Sequence, residues 1–290
     1  PDQAPRSLLR GMGMNWLTDY KIPMGDGSEL IVDWLKKYAR PFFDTLSDSL
    51  EWMIDGIVWA LQTPPALVVI IAFVALTWVL QRSWKTCVLV ALCLLFIVNQ
   101  GYWDETIDSL ALVLSSGLVC MGLGVPIGIF LAHRPRAYLA ISPVLDLMQT
   151  LPTFVYLIPA IVFFGLGMVP GLFATVIFVL PAPIRLTYLG IAATPTPLLE
   201  AAQAFGATRT QVLWKVELPS AMPQIMAGLN QVIMLSLSMV VIAAYVGADG
   251  LGKPVVQALG RNDPGLGFES GFVIVAVAIM LDRMLRRKSK

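Results

Sequence analysis

Charge is scarce in this sequence: only 13% of its 290 residues are Asp, Glu, Lys or Arg, about half the usual share of a soluble domain. The charge that is present nearly cancels, with 20 basic against 19 acidic side chains. The basic residues are scattered through loops and form no stripe, so nothing points to a nucleic-acid partner. Histidine occurs once and cysteine three times. Cys87, Cys93 and Cys120 lie inside apolar stretches at spacings that match neither a zinc site nor a disulfide framework, and they read as small buried hydrophobes. No metal cluster, paired carboxylates or nucleophile-base couple stands out in the apolar region, which argues against a membrane enzyme. No cleavable signal pattern opens the chain. It starts at Pro1 without a Met, as expected where some N-terminal sequence is missing.

What the sequence has instead is apolar length. Hydrophobic residues make up 57% of it, and uncharged runs cover 56–81, 86–103, 109–132 and 218–248. Between 137 and 199 only Asp146 and Arg185 interrupt. At roughly 20 apolar residues per crossing, the pattern predicts an all-α integral membrane protein. About seven membrane helices are expected, near 64–81, 86–103, 107–132, 142–165, 171–192, 219–246 and 267–285. The last is bounded by Glu269 and Arg283, which must reach water at the two interfaces.

Ahead of these the spacing predicts two amphipathic helices. Ile31, Trp34, Leu35 and Tyr38 share one face, and Pro41 ends that segment. Leu46, Leu50, Met53, Ile54, Ile57 and Leu61 share a second face, opposite Asp44, Asp48, Glu51 and Asp55. Such helices suit the membrane interface or another subunit, and the second, with its wide apolar face, equally suits packing on the bundle. The expected organisation is a non-cytoplasmic region 1–63, two accessory membrane helices in 64–103, and a core 104–290 carrying a cytoplasmic loop 193–219.

That orientation rests on the cations. Arg82 with Lys85, His133 with Arg134 and Arg136, Arg209 with Lys215, and the tail Arg283, Arg286, Arg287, Lys288 and Lys290 alternate with cation-poor loops, and short cytoplasmic loops carry the excess of Lys and Arg. The C-terminus is therefore expected in the cytoplasm. Lys36, Lys37 and Arg40 pull the other way, but 1–63 holds nine acidic against six basic residues.

Loop 193–219 reads as two short helices with an elbow. Thr196 is the expected N-cap with Pro197 at the first helical position, and Gly206 supplies a left-handed stop. Thr208 and Gln211 fit a capping box for the second helix, and Leu218 and Pro219 lead into the membrane. Such a capped knob, kept low by Ala201 and Ala202, suits close approach by another protein; an ordinary loop helix without a partner fits the same physics. Glu200, Ala201 and Ala202, then Gly206, then Val216, Leu218 and Pro219, resemble the EAA loop of ATP-binding-cassette importer permeases, departing only in Val216 where that family has Ile. The stretches 148–157, 164–171 and 237–243 resemble permeases for glycine betaine, proline betaine and choline, and the likeness runs from about 64 to 287. The resemblance implies a type I ABC importer permease fold in the bacterial cytoplasmic (inner) membrane. It also implies a second copy of the chain, ABC ATPase subunits that meet the loop, and an extracytoplasmic substrate-binding protein. ATP and Mg would be used on the partner ATPase, with no cofactor or metal on this chain.

Polar residues within apolar runs are the candidates for a route through the membrane: Asp146, Gln149 and Thr150, with Pro152 as a helix break, and Asn230, Gln231, Ser236 and Ser238. Ser and Gln also join helix to helix. Gly250, Leu251 and Gly252 lie in a glycine-rich turn expected to close the outer end of that route, where related permeases have a similar turn. The same turn has the spacing of a phosphate loop, but Pro254 stands where Ser or Thr is needed and no strand precedes it. His133 reads as a cation at a helix C-terminus, and Gly124 with Gly128 as a close helix contact. Trp16, Trp34, Trp52, Trp59, Trp78, Trp84 and Trp103 fall in the N-terminal segment or near expected interfaces, a belt rather than a cage for quaternary ammonium. A permease for amino acids such as methionine is the alternative within the importer class. A self-contained secondary transporter is the rival outside it, though no internal repeat supports one.

Overall fold

The computed structural model describes Gly27 and residues 33–285, and all regular structure among the described residues is helical. They divide into two units between Asp44 and Thr45. In the first, residues 33–38 are helical and Ala39 bends, so the helix expected ahead of Pro41 is present. Ile31 and the basic tail beyond 285 lie outside the described residues.

Helix α1 (Arg40–Gln62) settles the ambiguity of the second amphipathic segment. Leu50 and Ile54 are buried against Ala111, Val169 and Leu172, flanked by Leu46, Met53 and Ile57. Asp48, Glu51 and Asp55 remain exposed. Each large apolar side chain buried this way contributes about 1.5–3 kcal/mol, so the stripe packs on the bundle. Pro64 and Pro65 then end α1, because proline lacks the N–H and restricts the residue before it. The next helix, α2 (Ala66–Gln81), leaves at 102° to α1.

Helices α2 and α3 (Trp84–Gln100) contain 16 and 17 residues. At 1.5 Å per residue they reach about 24–26 Å, short of a ~30 Å hydrocarbon core. Among the described residues, four helical stretches are long and apolar enough to cross a membrane unaided: Trp103–Ala132 (α4), Met168–Ala192, Arg209–Val246 and Pro264–Leu285 (α13). Counting each bent pair as one span raises the number to six. The expected single helix 142–165 is broken into α5 (Pro135–Thr150) and α6 (Thr153–Phe164), which meet at 94°. Pro152 explains the break, since Leu151 before it is driven to an extended backbone with φ −63° and ψ 136°.

The Met168–Ala192 stretch comprises α7 (Met168–Val179) and α8 (Pro181–Ala192), and α8 is clamped against α4. A Cβ on Gly124 would lie 2.7 Å from Pro183 Cγ, and one on Gly128 would lie 2.6 Å from Thr187 Cβ. The small-residue pair thus packs two helices, as its spacing predicts. Helix α11 (Leu218–Ala243) completes the centre, and Leu94, Leu112, Val113, Val240, Val277 and Met280 join α3, α4, α11 and α13 in the main apolar core.

Candidate functional site

The elbow is assembled by local backbone chemistry. Helix α9 (Thr196–Ala204) begins one residue earlier than expected: Pro195, not Thr196, occupies the cap position, with extended φ −58° and ψ 126° and no side-chain cap bond. Its carbonyl accepts from the N–H groups of Leu198 and Leu199. At the other end Gly206 has φ +75°. The Ala207 N–H donates to the Ala202 carbonyl at 3.0 Å and the Gly206 N–H to the Gln203 carbonyl at 2.9 Å, the two bonds of a Schellman stop. Two residues on, the Gln211 N–H donates to Thr208 Oγ1 at 3.4 Å and the Thr208 N–H to Gln211 Oε1 at 2.9 Å. This capping box starts α10 (Arg209–Val212).

A π-helical turn, Leu213–Glu217, connects α10 to α11. Pro219 cannot donate to the helix ladder, and the widened turn instead bonds the Leu218 N–H to the Leu213 carbonyl. The continuous stretch Arg209–Val246 has 38 residues, about 57 Å at 1.5 Å per residue, so it is longer than the ~30 Å core and projects beyond it.

On this projection Glu200 and Ala201 are exposed and Ala202 half-buried. The surface also carries large apolar groups that sequence reasoning passed over. Phe205 is 92% exposed, Trp214 67% and Leu198 51%; the available signal was aromatic residues in an otherwise polar loop. The base of the projection is tied to α4. His133, the C-cap of α4, places Nε2 3.0 Å from Glu217 Oε2 and Nδ1 2.9 Å from the Ile129 carbonyl. Glu217 is buried. Reading His133 as a cation at a helix end is incomplete, because its partner lies in the π turn.

The residues proposed for a route are dispersed. Ser236 is buried and shares a 2.7 Å hydrogen bond with Ser116 of α4. Asn230 Nδ2 donates to Asp282 Oδ1 of α13 at 3.3 Å. Both link helix to helix. Gln231 and Ser238 are exposed, and Ser238 Oγ bonds back to the Met234 carbonyl. Asp146, Gln149, Thr150 and Pro152 gather at the break between α5 and α6, where Asp146 Oδ1 meets Arg185 Nη2 at 2.5 Å.

The glycine-rich turn is wedged between α4 and α11. A Cβ on Gly250, which has φ +117°, would lie 2.6 Å from Ser109 Oγ, and one on Gly252 would lie 2.3 Å from the Val240 carbonyl oxygen. Ser109 Oγ accepts from the buried Leu251 N–H at 2.8 Å. Lys253 pairs with Asp249 at 2.7 Å, and that hydrogen bond holds its ammonium above the ordinary lysine range. The turn is packed closely on α4 and α11, with the Leu251 N–H bonded to Ser109 and the Lys253 N–H to the Gly250 carbonyl.

Residues 124–282 match the family described as "Binding-protein-dependent transport system inner membrane component". The chain is 46% identical over 264 residues to the glycine betaine transport system permease protein OpuAB of Bacillus subtilis, covering 91% of this chain and 93% of that protein. It is 44% identical to the glycine betaine/carnitine transport permease protein GbuB of Listeria monocytogenes, covering 93% and 96%. It is 41% identical to the glycine betaine/proline betaine transport system permease protein ProW of Escherichia coli, covering 98% and 84%. A solved structure of the MetNI methionine ABC transporter, in an inward-facing conformation, matches with a TM-score of 0.54 at 24% identity, over 62% of this chain and 92% of that one.

Proposed function

This chain belongs to the binding-protein-dependent transport system inner membrane components, and from that premise we propose that two copies of it form the path of an ATP-driven importer for glycine betaine, proline betaine, choline or a related quaternary ammonium compound. The relatives at 41–46% identity support this substrate class over methionine, because the methionine transporter shares the fold alone. A separate extracytoplasmic binding protein delivers the substrate. ATP and Mg are used on partner ATPase subunits, which receive the elbow on the cytoplasmic side. The cation distribution supports a C-terminus on that side as well.

The observation that carries the coupling role is a rigid elbow, capped at both turns, that holds Leu198, Phe205 and Trp214 in the open. Exposed apolar groups on an ordered projection mark a protein contact, and aromatic residues are enriched in such contacts. Glu200, Ala201, Ala202 and Gly206 form the surface between them, while Val216, Leu218 and Pro219 join it to the membrane helix.

The test is ATP hydrolysis and substrate uptake by the complex reconstituted in vesicles, with and without loaded binding protein. Gly206→Val places a β-branched residue at positive φ, with about 1–2 kcal/mol of strain. It should lower stimulated hydrolysis and uptake together, and Glu200→Ala should do so less severely, with two permease chains still present in each purified complex. Wild-type stimulation and uptake in an assembled Gly206→Val complex would refute the coupling role.

A further inference from the structure

Between residues 137 and 199 Asp146 and Arg185 are the only charged side chains, and the fold brings them together across α5 and α8 although 39 positions separate them. The pair is only partly covered. Asp146 is 58% exposed and Arg185 27% exposed, while Arg185 Nε is buried with no hydrogen-bond partner. Charged side chains within apolar stretches usually face protein or a wet cavity rather than lipid, and the open side of this pair is read in that way. Its frame is stiff, because Tyr138 of α5 and Tyr188 of α8 stack with ring centroids 3.6 Å apart and planes 4° apart.

The surroundings polarise the site further. Asp146 precedes the break at Leu151 and Pro152, and Gln149 and Thr150 occupy the last turn of α5. The carbonyl end of a helix carries partial negative charge, and interrupted helices beside a cavity use such ends to hold cations. Negative potential therefore gathers at Asp146 and the end of α5. Positive potential gathers at Arg185, whose planar fork suits a carboxylate.

We propose that Asp146 and Arg185 form a weak binding station for a compact zwitterion, with a trimethylammonium group against Asp146 and the end of α5 and a carboxylate on Arg185. This rests on the substrate class proposed above. The logic is charge balance: the empty pair neutralises itself, and an inserted zwitterion neutralises both members again. A cation without a carboxylate would occupy Asp146 and leave Arg185 without a counter-charge, forgoing the charge-assisted fork that a carboxylate supplies. The station therefore selects carboxylated over carboxylate-free quaternary ammonium compounds, independently of the binding protein.

Saturation-transfer NMR on the trimethylammonium protons suits a weak site. The sample is the assembled permease and ATPase complex in nanodiscs, without binding protein, with glycine betaine or choline as the probe. The wild-type complex should give a glycine betaine signal several-fold above that of choline. Arg185→Gln should bring glycine betaine down to the choline level, and Asp146→Asn should weaken both at least tenfold. If Arg185→Gln fails to assemble, Arg185→Lys keeps the charge without the fork and should still lower the glycine betaine preference by about half. A merely structural pair would show no substrate-selective change. No signal above background on the wild-type complex, or equal signals from both probes in every assembled variant, would overturn the station. Titration of the isolated binding protein with glycine betaine separates the two hypotheses, because its failure would count against the substrate class alone.

Discussion

Two residues show how differently a side chain can matter here. Phe205 touches little of its own chain, being 92% exposed. Phe205→Ala should therefore leave the melting temperature of the isolated permease nearly unchanged, within about 0.5 kcal/mol. If the residue anchors in an ATPase groove, the same change should weaken attachment by about 2 kcal/mol, or roughly thirtyfold, as aromatic anchors do, read from binding of the ATPase subunit to permease in nanodiscs. Gly252 is the reverse case. A Cβ there would lie 2.3 Å from the Val240 carbonyl oxygen and 2.8 Å from Val241 Cα, both in α11, so neither can swing aside. Gly252→Ala should destabilise the bundle by about 1–3 kcal/mol or more, visible as a lower melting temperature and poor recovery from membranes.

Among the elements, the π turn is the one that joins projection to bundle. Its Glu217 is buried and its partner His133 caps α4, so one hydrogen bond links the end of α4 to the base of the elbow. His133→Ala would leave that carboxylate without its partner, at about 1–3 kcal/mol. A drop in thermal stability and a lower ratio of uptake to ATP hydrolysis are expected. Glu217→Gln keeps a hydrogen-bonding group opposite Nε2 and should stay close to wild type on both measures. An unchanged His133→Ala protein would show that the link is incidental. None of this was legible in the sequence, because 84 positions separate the two residues and neither repeats with a helical period. The elbow itself was legible, since Gly206, Thr208 and Gln211 act within four residues of their partners. The cap at Pro195 was misplaced by one position because proline and threonine both fit a helix start. Pro152 was visible as a break, but its 94° consequence was not: periodicity records which residues are apolar, not the direction the chain takes afterwards.

For the molecule as a whole, the sequence pattern anticipated an all-helical membrane bundle because apolar length is a property of each segment alone. Which helices touch was less accessible. Gly124 and Gly128 signalled a close contact, yet their partners Pro183 and Thr187 emerge only from the packing. Asp146 was visible as an isolated charge, and the fold supplied Arg185 as its partner. The bundle that results has an elbow at one position and a packed glycine-rich turn at another, with a polar pair between two of its helices. An exposed, capped elbow suits a path driven by a separate ATPase rather than one that couples to an ion gradient. Uptake of radiolabelled glycine betaine into vesicles decides between these most directly, with the purified permease compared alone and together with its ATPase and binding protein. Accumulation is expected only with all three and with ATP inside the vesicles. Accumulation by the permease alone, driven by a sodium or proton gradient without ATP, would contradict it.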